Sequence, residues 1–294
     1  MPPEGKFATF GGMDIEHLRT FLEVSRTRHF GKAAENLYVT QSAVSARIRS
    51  LESALGVELF MRKRHDLQLT SSGNRLISHA ETIVGAWTRA RQEAGLAPQY
   101  DEILVIGGLY DLWPVLLDRW LPALTGTLPG VVVSAEAYSS DVLVKRLVDG
   151  LVDLGILFEP PRVSDLSTRE VCVLDLVLMT NRQGLSAKQA MSEGFISIDW
   201  GQSFSHELTQ RFPDIPTSSI RAGHGMIGYS FLTQRGGAAF LPATMVEKDI
   251  ASGTLYPVDD APVFQRPVYA LYHSTSTREN TIKEAISLLA QKAI

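Results

Sequence analysis

The chain has 294 residues, of which 45% are hydrophobic, and carries a formal net charge of −4. This length is enough for about two domains with packed cores, and the composition excludes a disordered or fibrous protein. No stretch approaches the ~18 consecutive apolar residues that a membrane helix needs, and the single cysteine, Cys172, excludes an intramolecular disulfide.

The charge is distributed unevenly along the chain. Residues 13–97 contain 12 Lys and Arg against 9 Asp and Glu, whereas residues 98–294 contain 15 against 22. A basic segment joined to an acidic one favours nucleic-acid binding by the basic part. Residues 1–12 are expected to be a flexible leader or a tag before a more natural start at Met13.

Three short helices are predicted near the beginning of the chain. Apolar residues recur at helical spacing in residues 13–25 and again in residues 30–37. Thr40 is a good N-cap for the third helix, and Gly56 is expected to end it. The residues predicted to form one buried stripe on this third helix are Val44, Ile48, Leu51 and Leu55. A short turn between the second and third helices is typical of a helix-turn-helix motif.

Burying that stripe leaves polar side chains on the outer face of the third helix. Gln can read adenine edges, Arg can read guanine or hold phosphate, and Ser suits phosphates or either base. An ordinary three-helix bundle with a solvated face is the alternative on spacing alone. The residues predicted to contact DNA from this helix are Gln41, Ser42, Ser45, Arg47 and Arg49.

A basic hairpin is predicted directly after the third helix. Residues 57–69 form two short strands, joined by a turn that starts with Arg62, Lys63 and Arg64. Adjacent cations at a hairpin tip suit the phosphate backbone or the minor groove. A solvated charged loop is the alternative, but the neighbouring helix-turn-helix favours a DNA-binding wing.

Residues 71–97 are predicted to contain one long helix, followed by a linker. Its small and apolar residues alternate steps of four and three, the rhythm of a short coiled coil. Pairing two such helices would present two recognition helices to two half-sites. A single helix packed on its own domain is the alternative. The predicted dimerisation stripe consists of Leu76, Ala80, Ile83, Trp87 and Ala90.

From residue 102 onward, predicted strands and helices alternate. This alternation indicates an α/β fold with mainly parallel sheets, arranged as one large sheet or two lobes. Residues 223–228 match G-x-G-x-x-G, but a lone match is weak evidence for a dinucleotide site. The histidines lack metal-ligand spacing, and neither a nucleophile elbow nor a Walker loop occurs.

The motifs therefore predict no cofactor, no metal and no catalysis. Two other classes stay open on the residues alone. One is a small-molecule-binding protein whose N-terminal helices serve only for oligomerisation. The other is an α/β enzyme that uses the glycine-rich loop.

From Met13 onward the sequence resembles the LysR-type transcriptional regulators. The longest matching segment is "LRTFLEVSRTRHFGKAAENLYVTQSAVSARIRSLESALGVELFMR", followed by "LTSSG". The later segments that resemble the family are "LPGVVVSAEAY", "LVDGLVDLGILFE" and "GGAAFLP".

This resemblance implies an α-helical N-terminal winged helix-turn-helix joined to a two-lobed α/β effector domain that is built like a periplasmic binding protein. The implied boundaries are 13–70 for the DNA-binding domain, 71–97 for the linker helix and 98–294 for the effector domain, with lobe one at 101–176 and 266–294 and lobe two at 177–265. It also implies a cytoplasmic, nucleoid-associated homodimer or homotetramer that binds inverted repeats in double-stranded promoter DNA. RNA polymerase is a further implied partner.

The resemblance also implies a small-molecule cleft between the lobes, and it matches Gln41, Ser42, Ser45, Arg47 and the wing residue Arg62 to DNA-facing positions. Asp111 and Glu159 would repel an anionic effector if both face the cleft, whereas a cationic or neutral ligand would be tolerated. Helix capping or solvent exposure of both acids is the alternative, and an effector-independent regulator also stays open. The expected cleft residues are Tyr110, Asp111, Ser139, Ser140, Glu159, Trp200, Gly201, Gln202, Ser203, Gly223, His224 and Met226.

Overall fold

The computed structural model describes residues 14–63, 66–192, 194–213 and 220–292. The chain divides into two compact units between Leu96 and Ala97. The expected leader and Arg64 lie outside the described residues, as do the side chains of Arg62 and Lys63.

The first unit contains the predicted helices and hairpin. Their bounds are α1 Ile15–Thr27, α2 Phe30–Asn36, α3 Gln41–Leu55, β1 Phe60–Lys63, β2 Asp66–Leu69 and α4 Ser71–Ala94. Side-chain caps explain where two of the helices begin, because the Thr40 and Thr70 hydroxyls accept hydrogen bonds from the N–H groups of Ala43 (3.2 Å) and Gly73 (3.0 Å). Helix α3 ends where predicted, at Gly56 with φ 68°, in the left-handed region that favours glycine.

The core of the first unit lies between α1, α3 and the hairpin. Val44, Ile48 and Leu51 are buried there as predicted. The prediction for Leu55 was wrong, because 41% of this residue is exposed. The core on α3 stops at Leu51, and the final turn of the helix runs past it. Burying each such side chain contributes about 1.5–3 kcal/mol, so the stripe fixes which face of α3 points outward.

The apolar stripe of α4 divides into two parts. Ala80 is buried in the core of the first unit and Leu76 packs against it. Ile83 and Trp87 are 43% and 48% exposed, and Ala90 is also exposed. The first half of the predicted dimerisation stripe therefore stabilises its own unit, and the second half forms an open apolar face.

The second unit is an α/β structure with one seven-stranded sheet and one two-stranded sheet among the described residues. Its strands are β3 Glu102–Leu109, β4 Val131–Tyr138, β5 Leu154–Leu157, β6 Leu166–Thr180, β7 Ile196–Ile198, β8 Ile220–Ala222, β9 Ala238–Pro242, β10 Tyr256–Pro257 and β11 Phe264–His273. Its α-helices are α5 Asp118–Thr127, α6 Ser140–Val148, α7 Ala187–Ser192, α8 Gln202–Arg211, α9 Gly225–Arg235, α10 Ala243–Ser252 and α11 Glu279–Lys292. A 3₁₀ turn, Tyr110–Leu112, and a π-helical turn, Trp113–Leu117, lead into α5.

The prediction of mainly parallel pairing was wrong for the large sheet. Only β3–β4 and β3–β5 are parallel within it, in the strand order β10-β6-β11-β5-β3-β4 with β9 on β6. The long strands β6 and β11 run antiparallel, from Phe264 opposite Leu176 to His273 opposite Leu166. The other strands paired with these two are also antiparallel to them, with β5 on β11 and both β9 and β10 on β6.

Strands β6 and β11 connect the two lobes of this unit. The first lobe contains β3, β4, β5, α5, α6 and α11, and the second contains β7 to β10 and α7 to α10. Trp120 anchors α5 to α11 by donating its indole N–H to the Ala285 carbonyl oxygen at 3.2 Å. In the second lobe, Phe240 and Phe264 meet edge to face with ring centroids 4.8 Å apart. Among the described residues, no helix combines the length and apolarity needed to cross a bilayer.

Candidate DNA interface and ligand pocket

The first turns of α3 place several predicted DNA-contacting side chains on the surface. Gln41, Ser42 and Arg49 are exposed and Ser45 is half-buried, on the faces opposite the buried stripe. The N-terminus of α3 also carries the positive end of the helix dipole, which favours a phosphate. This surface can therefore contact both base edges and the DNA backbone.

Arg47 lies on the same helix but is held towards α1. Its Nη1 donates to the Thr20 hydroxyl at 3.3 Å and lies 3.9 Å from Glu16 Oε2. Glu16 is itself bonded to Arg19 at 2.7 Å. To contact DNA, the Arg47 guanidinium group would have to share or exchange these partners.

The hairpin is attached firmly to α3. Glu52 Oε1 accepts hydrogen bonds from the N–H groups of Leu59 at 2.8 Å and Phe60 at 3.3 Å. At Gly73 a Cβ atom would overlap the Leu59 carbonyl oxygen, so glycine allows α4 to approach the hairpin. These contacts fix the direction in which the wing leaves the helix.

The turn at the tip of the wing contains fewer residues than predicted. Arg62 and Lys63 belong to strand β1, paired with Leu67 and Asp66, rather than to the turn. Both residues still lie at the tip end of the hairpin. Their DNA contacts stay a prediction, as do those of the outer face of α3.

A pocket of about 230 Å³ lies in the second unit, among loops that follow its strands. The structure brings together nine of the predicted cleft residues here: Tyr110, Asp111, Ser139, Ser140, Glu159, Trp200, Gly201, Gly223 and His224. Gln202, Ser203 and Met226 do not line it. The Gln202 and Ser203 backbone N–H groups point to Glu159, and the Met226 side chain is exposed.

Four lining residues were missed by the sequence analysis: Tyr138, Phe158, Asp199 and Arg266. Arg266 is the most informative of them because it is only 4% exposed. A buried cation needs a partner, and a lone arginine within the apolar strand β11 was the available signal. Its guanidinium lies over the Phe158 ring, with 5.2 Å between Cζ and the ring centroid.

Asp111 connects the first lobe to the N-terminus of α9. Its Oδ1 accepts a hydrogen bond from the Gly225 N–H at 2.7 Å, and its Oδ2 lies 3.6 Å from His224 Nδ1. Burial raises the pKa of Asp111 above its ordinary value, although Gly225 and His224 act in the opposite direction. The acid therefore caps a helix and lines the pocket at the same time.

The glycines of the G-x-G-x-x-G segment allow α9 to pack closely against its neighbours. A Cβ at Gly225 would overlap the Trp200 ring, and one at Gly228 would overlap Ile198. The Gly225 N–H, which a phosphate would need in a dinucleotide site, is already bonded to Asp111. The glycines thus support packing of α9 against the second lobe and against Asp111.

Glu159 connects the first lobe to the N-terminus of α8. Its Oε1 accepts from the Ser203 N–H at 2.9 Å and from Arg266 Nη2 at 3.1 Å, and its Oε2 accepts from the Gln202 N–H at 3.3 Å. Burial alone would raise the pKa of Glu159, but hydrogen bonds from Ser203 and the charge of Arg266 hold it below its ordinary value. Both acids therefore line the pocket and cap helices of the second lobe, so the two alternatives that the sequence left open occur together.

Two family models match the chain and together span most of it. Residues 15–74 match the model for the bacterial regulatory helix-turn-helix protein of the lysR family, and residues 99–293 match the LysR substrate binding domain. The HTH-type transcriptional regulator HdfR of Escherichia fergusonii is 36% identical over 284 residues, which cover 94% of this chain and 98% of the relative. HdfR of Escherichia coli O139:H28 is 35% identical over the same shares of both chains.

Solved structures of LysR regulators share the fold. CbnR, a LysR family transcriptional regulator, superposes with a TM-score of 0.75 at 17% identity, covering 96% of this chain and all of CbnR. Full-length CbnR complexed with its target DNA gives a TM-score of 0.73 at 19% identity, again covering 96% of this chain and 100% of CbnR. With a helix-turn-helix, a neighbouring hairpin and a two-lobed α/β unit, this chain belongs to the LysR-type family of DNA-binding transcriptional regulators.

Proposed function

We propose that the protein binds inverted-repeat sites near promoters as a homodimer or homotetramer, and that a small molecule in the pocket of the second unit modulates its activity. The observation that carries the DNA part is the exposed N-terminal face of α3, with Gln41 and Ser42 outside and Val44, Ile48 and Leu51 inside. Recognition would use this face, including Ser45, Arg47 and Arg49, in the major groove, and the wing residues Arg62 to Arg64 on the backbone.

The open face of α4 supports an oligomer. Ile83, Trp87 and Ala90 lie on one side of the helix and make no contribution to the core of their own unit among the described residues. A second α4 packed there would cover apolar surface and bring two copies of α3 to two half-sites.

The second unit supports a regulatory role, because it matches the substrate binding domain of LysR regulators. The acids of its pocket are bonded to helix N-termini. A ligand would act by binding one arrangement of the two lobes better than another. We also propose that the protein is associated with the nucleoid in the cytoplasm and contacts RNA polymerase. Its proposed domains are the DNA-binding domain at 13–70, the linker helix at 71–97 and the effector domain at 98–294.

Replacement of Gln41 tests the proposed DNA readout. Gln41→Ala is expected to weaken specific binding by about 1–3 kcal/mol, because a bidentate contact to adenine would be lost. Fluorescence anisotropy with DNA from upstream of the protein's own gene, at several salt concentrations, measures the change. Binding to unrelated DNA should change little, since that binding depends on phosphate contacts.

Gln291→Ala is the matched control, because Gln291 is an exposed glutamine on α11 in the other unit. It should leave binding unchanged. Equal affinities of Gln41→Ala and Gln291→Ala for the specific site would remove the N-terminal face of α3 from sequence recognition.

A further inference from the structure

Three hydrogen-bond donors converge at the N-terminus of α8. They are the backbone N–H groups of Gln202 and Ser203 and the guanidinium group of Arg266. Two backbone amides at the positive end of a ten-residue helix, next to a cation, form a donor set suited to a carboxylate or another oxyanion. This corner of the pocket is therefore an anion subsite by its chemistry.

The carboxylate of Glu159 occupies this anion subsite. Its two oxygens accept from all three donors, at 2.9 Å, 3.1 Å and 3.3 Å. The carboxylate comes from the loop after β5 in the first lobe, whereas α8 belongs to the second lobe and Arg266 to the crossover strand β11. One side chain of the protein thus makes contacts that an anionic ligand bridging the lobes would make.

Two further features show that the subsite is shaped around a carboxylate. Gly201, with φ 98°, lies directly before α8, and a Cβ there would come within 2.7 Å of Arg266 Nη2 and 2.9 Å of Glu159 Oε1. Arg266 is 4% exposed, and its Nε has no acceptor within the described part of the chain. A buried guanidinium with spare donors keeps the local potential positive and depends on Glu159 for its countercharge.

We propose that Glu159 is a tethered carboxylate that fills the anion subsite of the pocket, so that the pocket excludes carboxylate effectors and selects an uncharged or cationic ligand. The inference rests on the proposed function in one respect, that the pocket is the effector site. A tethered group competes at an effective concentration on the order of millimolar or higher, which a free carboxylate must exceed to displace it. It also need not lose the translational freedom that a free ligand loses.

The rest of the pocket agrees with this ligand class. Asp111 and Asp199 line it on the α9 side, whereas the positive charge of Arg266 is paired with Glu159. The ring of Tyr110, which is 48% exposed, also lines the pocket and offers a surface on which a cation or an apolar group can lie. The unpaired charge of the lining is therefore negative.

Removal of the tethered group provides the test. Glu159→Ala removes a CH₂–COO⁻ fragment, which has the size and charge of acetate. The intact variant protein is melted in 100 mM sodium acetate and in 100 mM sodium chloride at one pH, beside the unchanged protein. We expect acetate to raise the Tm of the variant by about 3–6 °C over chloride, for a Kd of about 10 mM, and to leave the unchanged protein unaffected.

Glu207→Ala is the matched control, because Glu207 lies on the same helix and pairs with Arg211 at the surface. It should show no difference between acetate and chloride. An equal acetate shift in the unchanged protein or in Glu207→Ala overturns the proposal. A Glu159→Ala protein that gains nothing from acetate, or that stays unfolded in both salts, also overturns it, whereas folding only in acetate supports it.

The same preparations separate this proposal from the proposed function. Binding to upstream DNA reports on the first unit and does not require the anion subsite. Loss of DNA recognition with a retained acetate shift would remove the proposed function and leave the tethered carboxylate intact. Retained DNA recognition with no acetate shift would remove the tethered carboxylate and leave the proposed function intact.

Discussion

Tyr38 combines two unfavourable properties in the turn between α2 and α3. Its φ of 55° lies in the left-handed region, and 96% of the residue is exposed. The left-handed conformation costs a non-glycine residue about 1–2 kcal/mol, and an exposed ring gains little from packing. The Tyr38 side chain therefore adds little to the core of the first unit.

Tyr38→Gly is therefore expected to stabilise the first unit. The gain should be on the order of 0.5–1 kcal/mol, because glycine removes the strain but adds entropy to the unfolded chain. Amide hydrogen exchange of peptides from α1 to α3 should become slower. Glu35→Gly, at an exposed position inside α2, is the control that should make exchange faster. Faster exchange in Tyr38→Gly would contradict the strain at this turn.

Glu159 makes the stability of the second unit depend on pH. Its pKa in the folded protein lies below the ordinary value of 4.5, because hydrogen bonds and the charge of Arg266 outweigh the effect of burial. The folded state thus favours the ionised form. The stabilisation is complete above pH 4.5 and is lost as the pH falls through the lower folded-state value.

Glu159→Gln should consequently melt below the unchanged protein at pH 7, and the difference in Tm should shrink as the pH falls below 4.5. Calorimetry across this range measures it. Glu207→Gln, which changes an exposed ion pair, should show a small difference at every pH. If the Tm difference for Glu159→Gln does not change with pH, the ionised carboxylate of Glu159 does not stabilise the folded second unit.

Some residue roles could be predicted from the sequence and others could not. The exposure of Gln41 and Ser42 follows from the period of the apolar stripe, which fixes the outward face of a helix. The partners of Arg47 and Arg266 do not follow from it, because both contacts join residues far apart in the chain. Leu55 continued the period and was still exposed, because periodicity does not indicate where the core ends.

At the scale of elements, α4 has two functions along its length. Its first half packs on the core through Ala80, and its second half carries the exposed residues Ile83 and Trp87. The stripe was predictable from the sequence as a heptad pattern. Its division was not, since the pattern does not distinguish packing on the same unit from packing on a second chain.

Changing the exposed half of α4 is expected to weaken self-association. The double change Ile83→Ser with Trp87→Ser removes two large apolar side chains, and each would contribute about 1.5–3 kcal/mol if fully buried. Sedimentation equilibrium should show a dimer dissociation constant that rises by at least about 100-fold, whereas the Tm of the first unit should change little. Thr88→Ala, on another face of the same helix, is the control.

Unchanged association of the double variant would remove α4 from the interface. An unchanged constant for Thr88→Ala together with a weakened double variant would locate the interface on the exposed stripe. Both measurements use the intact chain, so the second unit contributes equally to each.

Most helices and strands were predictable because local signals marked their ends, such as Thr40, Gly56 and Thr70. The direction of strand pairing was not predictable in the same way. Alternation of strands and helices favours parallel sheets, but β6 and β11 return through the sheet and pair antiparallel over ten residues of β11. That arrangement depends on contacts about 100 residues apart along the chain.

At the scale of the whole molecule, function is divided between two units that differ in charge. The segment 13–97 has an excess of basic residues and contains α3, while residues 98–294 are acidic and contain the pocket. In the proposed function, DNA phosphates would repel the acidic second unit, so long-range attraction would direct the first unit to the duplex. The overall charge of −4 alone would have hidden this division.

The central claim is that the outer face of α3 recognises a specific DNA sequence. Sequencing the chromosomal fragments that co-purify with the intact protein, beside the Gln41→Ala variant, tests it most directly. The account predicts a shared inverted repeat with half-sites about 10 bp apart or a multiple of this, enriched by the unchanged protein and lost with Gln41→Ala. Fragments without a common sequence, or the same enrichment by both proteins, would contradict it.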